Sequence, residues 1–185
     1  AFEGNCILSQ EEMENGTALV EMGAGVTSIS IYHNGALKYF DSIPFGGATI
    51  SSDIKKEGSM LFNLADNIKK AYGYCHTDTM SSLAEKVLQI NDDSIGTSTR
   101  IPVKYLSEIV TARQTEIMDA VLYHIQLSGF ADRLRGGIVL IGGAAQMGGL
   151  GPMLRDMSGY NIRLGHASSD RISDTAWPVL GRIDC

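Results

Sequence analysis

The stretch GGIVLIGGAAQMGG, residues 136–149, sets three glycine pairs around a short apolar run. Ile138–Ile141 is continuously aliphatic, which suits a strand buried on both faces. Gly142-Gly143 ends it abruptly, and small residues follow where side chains would ordinarily cover the end of a strand. A buried strand that runs through glycine into a helix offers free amides at the helix N-terminus. It also lets a phosphate or a flat ring come close. Close packing of strand on helix asks for the same glycines, so the motif alone leaves both readings open.

The remaining pattern says what sheet that strand joins. Thr17–Glu21, Ser28–Tyr32 and Ala36–Ile43 read as strands, and SISIY alternates with period two. Asn34-Gly35 is a hairpin signal, so an antiparallel meander opens the domain. Gly46-Gly47 then release the chain into a helix starting near Thr49–Lys56. Leu61, Leu64, Ala65, Ile68 and Tyr72 recur at helical spacing, predicting an amphipathic helix over 60–72 closed by Gly73. Residues 74–99 are polar, with β-like pieces at Leu83–Ile90. Leu106, Ile109, Val110, Arg113, Ile117, Val121 and Ile125 trace one face from about Lys104 to Ser128, a helix of roughly 35–40 Å. Strand 137–141, a glycine loop, helix 148–157, strand 161–164 and a terminal helix from about Ser173 complete the chain. A meander followed by βαβ-like units indicates an α/β mixed sheet flanked by helices.

A second glycine loop, EMGAGVTS at 21–28, lacks the third glycine of a dinucleotide fingerprint and leads into a strand rather than a helix. A tight glycine turn between antiparallel strands can instead converge backbone N–H groups on an anion, with Thr27 or Ser28 adding a hydroxyl. A plain hairpin turn is the bland alternative.

Composition narrows the partners. A net charge of −6 disfavours nucleic acid and anionic membrane as main partners. Cys6, Cys75 and Cys185 form no CxxC pair and lie at no ligand spacing from the histidines, so reduced thiols are expected rather than a zinc site or disulfides. The chain opens on Ala1 without methionine and stops just after an apolar stretch, which suggests an excised fragment. Trp177 and Met147 read as packing residues, and His33 as solvated beside its turn.

Two glycine loops at strand ends of one sheet, separated by a peripheral insertion and a long crossing helix, resemble one lobe of the superfamily that unites actin, heat-shock chaperones and sugar kinases. EMGAGVTSISIY resembles its second phosphate loop, and GGIVLIGGAAQMGGL its adenosine loop. ADNIKKAYG, 65–73, is similar to the helix that usually reads A-E-x-I-K; Asp66 and Lys69 share its polar face and can reach a ribose hydroxyl together. A surface ion pair is the alternative. Within the superfamily, NCILSQEEMENGTALVEMGAG, GALKYFDSIPFGG, LSEIVTARQTEIMDAV and NIRLG are most similar to the bacterial cell-division FtsA family, over nearly all of these residues but only its second half.

The resemblance implies an actin-like (ribonuclease H-like) lobe at 17–47 and 100–185, a connecting segment at 1–16, and a small α+β insertion at 48–99. Intact relatives bind ATP with Mg2+ between two lobes, polymerise as actin does, and bind the C-terminal tail of FtsZ beside other divisome proteins. They sit on the cytoplasmic face of the inner membrane at the septum through a C-terminal amphipathic helix that these residues lack. By the same resemblance Gly23, Ala24, Gly25 and Thr27 face phosphates, Asp66 and Lys69 the ribose, and Gly142, Gly143 and Ala144 the adenosine. Lys104 and Arg113 would meet the carboxylates of the FtsZ tail, although Arg113 could also simply snorkel past the apolar face.

One departure bears on chemistry. The family's phosphate loop often reads D-x-G-G-G-T, its aspartate holding metal-bound water, whereas Glu21 and Val26 stand here. A displacement of about 1 Å costs on the order of a hundredfold in rate, so at most a weak ATPase is expected of the whole protein and none of this part alone. Another actin-like scaffold of the pilus-assembly type, or a phosphotransferase or chaperone of the same fold, are the competing functions.

Overall fold

The computed structural model describes residues 7–75, 86–92 and 97–166. The expected meander is present as β1 (Thr17–Met22), β2 (Thr27–His33) and β3 (Ala36–Ile43). Its β2–β3 turn is Asn34-Gly35, at φ of 51° and 69°, the left-handed pair that matches the twist of a two-residue hairpin. β6 (Gly137–Ile141) lies parallel beside β1, with Ala18 opposite Ile138 and Glu21 opposite Ile141. β7 (Ile162–Leu164) extends the sheet beyond it, so the strand order is β3-β2-β1-β6-β7. TALVEM and GIVLI are central strands covered on both faces, which is why neither shows the alternation of β2.

Helices flank the sheet, most of them on one face. α1 (Gln10–Asn15) precedes the sheet, α2 (Gly47–Gly58) and α3 (Phe62–Tyr72) follow the meander, and α4 (Val103–Leu127) crosses beneath it. Between α3 and α4, β4 (Val87–Asp92) and β5 (Thr97–Pro102) form a separate two-stranded sheet. A 3-10 turn at Gly143–Gln146 and α5 (Leu150–Ser158) lie between β6 and β7.

One buried cluster joins Val20, Met22, Ile29 and Ile31 of the sheet to Ile50 and Ile54 of α2 and to Leu106, Val110, Ile117, Val121 and Ile125 of α4. Each such side chain contributes about 1.5–3 kcal/mol by leaving water. Ala65, Ile68, Leu88 and Ile90, from the stretch read as an insertion, belong to the same cluster. A smaller cluster of Leu8, Leu19, Tyr32 and Val139 occupies the opposite face of the sheet. At the open edge, the Tyr39 hydroxyl lies 3.0 Å from Asp41 Oδ2 and 3.1 Å from His124 Nδ1, fastening β3 to the end of α4.

Several boundaries differ from the sequence reading. α3 starts at Phe62; Leu61 is its extended N-cap and is 44% exposed, so the buried stripe is Ala65 and Ile68. Gly73 ends α3 with ordinary extended backbone (φ −66°, ψ 130°) rather than a left-handed cap, because the chain must run straight into a bridge between Tyr74 and Gly148. The helix expected over about 148–157 is α5, which starts two residues later behind a left-handed N-cap at Gly149, and the glycine loop before it contains the 3-10 turn. β7 is one residue shorter than expected. His33 is half-buried with its ring 5.9 Å from that of Phe130, so it is not a solvated turn residue. Leu83, the terminal helix from Ser173, Trp177, Cys6 and Cys185 lie outside the described residues. No described helix is long and apolar enough to cross a membrane.

Candidate nucleotide cleft and adjoining groove

Because β1 and β6 are adjacent and parallel, the two glycine loops leave the same edge of the sheet side by side. Gly142 follows directly on the strand end at φ 92°, and a side chain there would meet the carbonyl oxygen of Met22 at 2.5 Å. Its glycine is therefore demanded by the neighbouring strand. The surface the loop turns outward is Gly143, which is exposed, and Ala144, which is half-covered.

The first loop is a four-residue turn closed by the Gly23 amide donating to the Val26 carbonyl at 2.9 Å. Ala24, Gly25 and Val26 are exposed, whereas Thr27 is fully buried and its hydroxyl donates to the Phe45 carbonyl at 2.9 Å. Thr27 thus braces the turn against the β3–α2 connection rather than presenting its hydroxyl outward. The turn also receives the start of α2: the Gly47 amide donates to Gly23 O at 3.0 Å and the Ala48 amide to Ala24 O at 2.7 Å. At Gly46 a side chain would strike both of those carbonyls, at 2.5 and 2.7 Å, so glycine is required for the turn and the helix to meet.

Gly47 is the point where all three motifs converge. A Cβ built there would lie 3.1 Å from the Ala144 methyl and 3.5 Å from Lys69 Nζ. The Lys69 ammonium donates to Gly47 O at 2.9 Å, to Ser51 Oγ at 2.8 Å and to Asp66 Oδ1 at 2.7 Å. Ser51, wholly buried, donates to the same Asp66 oxygen at 2.7 Å. Asp66 Oδ2 faces Lys70 at 2.9 Å. Burial raises the pKa of the Asp66 carboxyl, but Lys69, Lys70 and Ser51 together outweigh it and hold the group well below the usual carboxylate range. With Lys69 11% exposed, this is a partly buried network, not a loose surface pair.

Glu21, one residue before the end of β1, is half-buried, opposite Ser28 and Ile141. Among the described residues no group of three or more His, Cys, Asp or Glu is placed to hold a metal ion. A Mg2+ carried by nucleotide phosphates and water asks for only one or two protein carboxylates, which is what Glu21 offers. Behind the loops, the Cys75 amide donates to Gly148 O at 2.7 Å, and burial pushes the Cys75 thiol up to about 12, leaving it unreactive.

The far half of α2 faces α4 across a groove of about 390 Å³. Asp53, Lys56 and Glu57 line one wall, and Tyr105, Glu108, Ile109, Ala112, Arg113 and Glu116 the other. Arg113 does not snorkel: its Nε and Nη2 hold Asp53 at 2.6 and 3.1 Å, and Nη1 holds Glu116 at 2.6 Å. Lys104 is exposed nine residues before Arg113, in the first turn of α4 and outside the groove lining. Sequence reasoning did not find Ser51, Gly47 or Asp53. Ser51 and Asp53 are ordinary polar residues of α2 until the fold sets Asp66 and Arg113 beside them.

The profile of the family described as cell division protein FtsA matches residues 18–178. The FtsA of Neisseria meningitidis serogroup B is 33% identical over 163 residues, 88% of this chain and 39% of that protein. That of Bacillus subtilis is 30% identical over 161 residues, 87% of this chain and 36% of that protein. The chain thus spans less than two-fifths of these relatives' length. Among solved structures, MreB5 of Spiroplasma citri bound to ADP superposes with a TM-score of 0.70 at 21% identity, covering 86% of this chain and 51% of that one. A non-polymerising MamK mutant bound to AMPPNP gives 0.65 at 18% identity, covering 83% and 50%. The fold is actin-like, and the chain belongs to the FtsA family of cell-division proteins.

Proposed function

We propose that these residues form the second lobe of an ATP-binding, actin-like protein that links FtsZ to the cytoplasmic membrane at the division septum and assembles into filaments with its own kind. The supporting observation is the convergence on Gly47 of the phosphate turn, the adenosine loop and the Asp66–Lys69 pair. The exposed backbone of Ala24 and Gly25, on the turn that Gly23 closes, receives phosphate oxygens, Asp66 with Lys69 receives the ribose, and Gly143 with Ala144 the base, Gly142 setting their backbone. Glu21 would order the water of a Mg2+ bound with the nucleotide. Glutamate in place of aspartate, with the facing lobe needed to close the cleft, makes hydrolysis slow.

The groove between α2 and α4 receives the FtsZ tail. Its lining carries Lys56 and Arg113 against four carboxylates, Asp53, Glu57, Glu108 and Glu116. An acidic tail must therefore exchange with the carboxylates already on Arg113, and Lys104 supplies a further cation at the approach. Titration of MgATP and of a synthetic FtsZ-tail peptide into the protein tests both halves. Micromolar peptide binding lost in Arg113→Glu supports the tail assignment; unaltered binding in that variant rejects it. Absence of MgATP binding rejects the cleft.

A further inference from the structure

An ammonium has three protons and no lone pair. In Lys69 each proton already has an acceptor: the Gly47 carbonyl, the Ser51 hydroxyl and the Asp66 carboxylate, at 2.9, 2.8 and 2.7 Å. No proton is left for a ligand. Whatever bonds Lys69 from the cleft must displace one of these acceptors, and the neutral, longest contact is Gly47 O in the first turn of α2.

That turn has a second tie, since the Gly47 and Ala48 amides are held by the carbonyls of Gly23 and Ala24. Twelve residues of α2 span roughly 18 Å. One end abuts the phosphate turn; the other carries Asp53, Lys56 and Glu57 into the groove, where Asp53 holds Arg113. Ser51 sits one turn in, completely buried, as the pivot between α2 and the Asp66–Lys69 pair.

We propose that α2 couples the cleft to the groove: a ligand hydroxyl that takes Lys69 from Gly47 releases the first turn of α2, moves Asp53 relative to Arg113, and so changes the groove's affinity for an acidic peptide. Ser51 is the positioning residue that makes the helix respond. The proposal rests on the nucleotide and tail assignments above. What it adds is their linkage and its route.

The test is a pair of calorimetric titrations on the protein. Saturating MgATP is expected to change the dissociation constant of the FtsZ-tail peptide by about fivefold or more, and saturating peptide to change that of MgATP by the same factor, because binding linkage is reciprocal. Ser51→Ala removes only the hydroxyl. It also leaves one Lys69 proton without its acceptor, so the affinity for MgATP is expected to shift, while the affinity for the peptide alone stays near that of the unaltered protein and the coupling factor falls towards one. Equal peptide affinity with and without MgATP, both ligands binding, overturns the coupling. Coupling retained in Ser51→Ala overturns its route. Failure of either ligand to bind overturns the assignment beneath it, and the linkage with it. Should Ser51→Ala not fold, hydrogen exchange of the unaltered protein decides: MgATP must alter exchange at the Gly47 and Ala48 amides, and no change there rejects the mechanism.

Discussion

Asp53 on α2 and Arg113 on α4 are joined twice, Oδ2 to Nε at 2.6 Å and Oδ1 to Nη2 at 3.1 Å, across 60 residues of sequence. Their side chains are 25% and 29% exposed, so water screens the pair substantially. A double-mutant cycle of Asp53→Asn and Arg113→Met is expected to give a coupling of about 0.5–1 kcal/mol by urea unfolding. Zero coupling would mean that the pair organises the groove without holding α2 to α4.

Gln114 is the most conspicuous cost in the core. It is wholly buried on α4, and neither its amide nitrogen nor its oxygen finds a hydrogen-bond partner. Replacing such a group by an apolar side chain of similar shape removes a desolvation penalty of about 1–3 kcal/mol. Gln114→Met should raise the unfolding free energy by that order. A destabilised variant would indicate that the amide is satisfied in solution, for instance by water.

Glu12 gives the fold an acid-sensitive anchor. Arg163 of β7 holds it through Nε and Nη2 at 2.6 and 2.8 Å, and Ser9 caps α1 against it. The Arg163 bonds, outweighing partial burial and helped by Ser9, keep the Glu12 carboxyl below its ordinary 4.5. A carboxyl with a depressed folded value stabilises fully above its unfolded value, and that contribution disappears as pH falls through the folded one. Asp66 acts in the same direction. Stability should therefore decline from about pH 5 downward, and Glu12→Gln should flatten that decline while lowering stability at neutral pH. An unchanged slope of urea midpoint against pH would refute the anchor.

Gly142→Ala combines a left-handed backbone with a clash on the Met22 carbonyl. A destabilisation of about 2 kcal/mol or more is expected, read as a drop in melting temperature. A neutral effect would show that β1 and β6 separate easily at their ends.

Thr27→Val keeps the shape of the side chain and deletes the hydroxyl bonded to Phe45. A loss of about 1 kcal/mol is expected, with MgATP affinity little changed, since the hydroxyl faces inward. A large loss of affinity at unchanged stability would return Thr27 to the phosphates.

The meander, the long helix α4 and the two glycine loops were legible because each is written locally, in alternation, in a 3.6-residue stripe or in an Asn-Gly pair. What could not be read lies in contacts between distant residues. Arg113 falls on the apolar stripe of α4, and nothing near it in sequence announces Asp53. Asp66 and Lys69 announce a pair, but Ser51 and the Gly47 carbonyl that complete it come from α2. The bridge that ties Gly148 to the chain at Tyr74–Cys75 joins distant residues, which no local propensity encodes. Gln114 gives no warning at all, occupying a core position that a period count assigns to an apolar residue.

The position of β6 has a consequence for how the molecule is made. β1, β2 and β3 pair with near neighbours and can assemble as they leave the ribosome, but the other side of β1 must wait for Gly137–Ile141, some 120 positions later. Until then a hydrophobic strand edge stands open on a nascent chain. Synthesis of the last third of these residues therefore closes the sheet and removes a site at which incomplete copies could stick together.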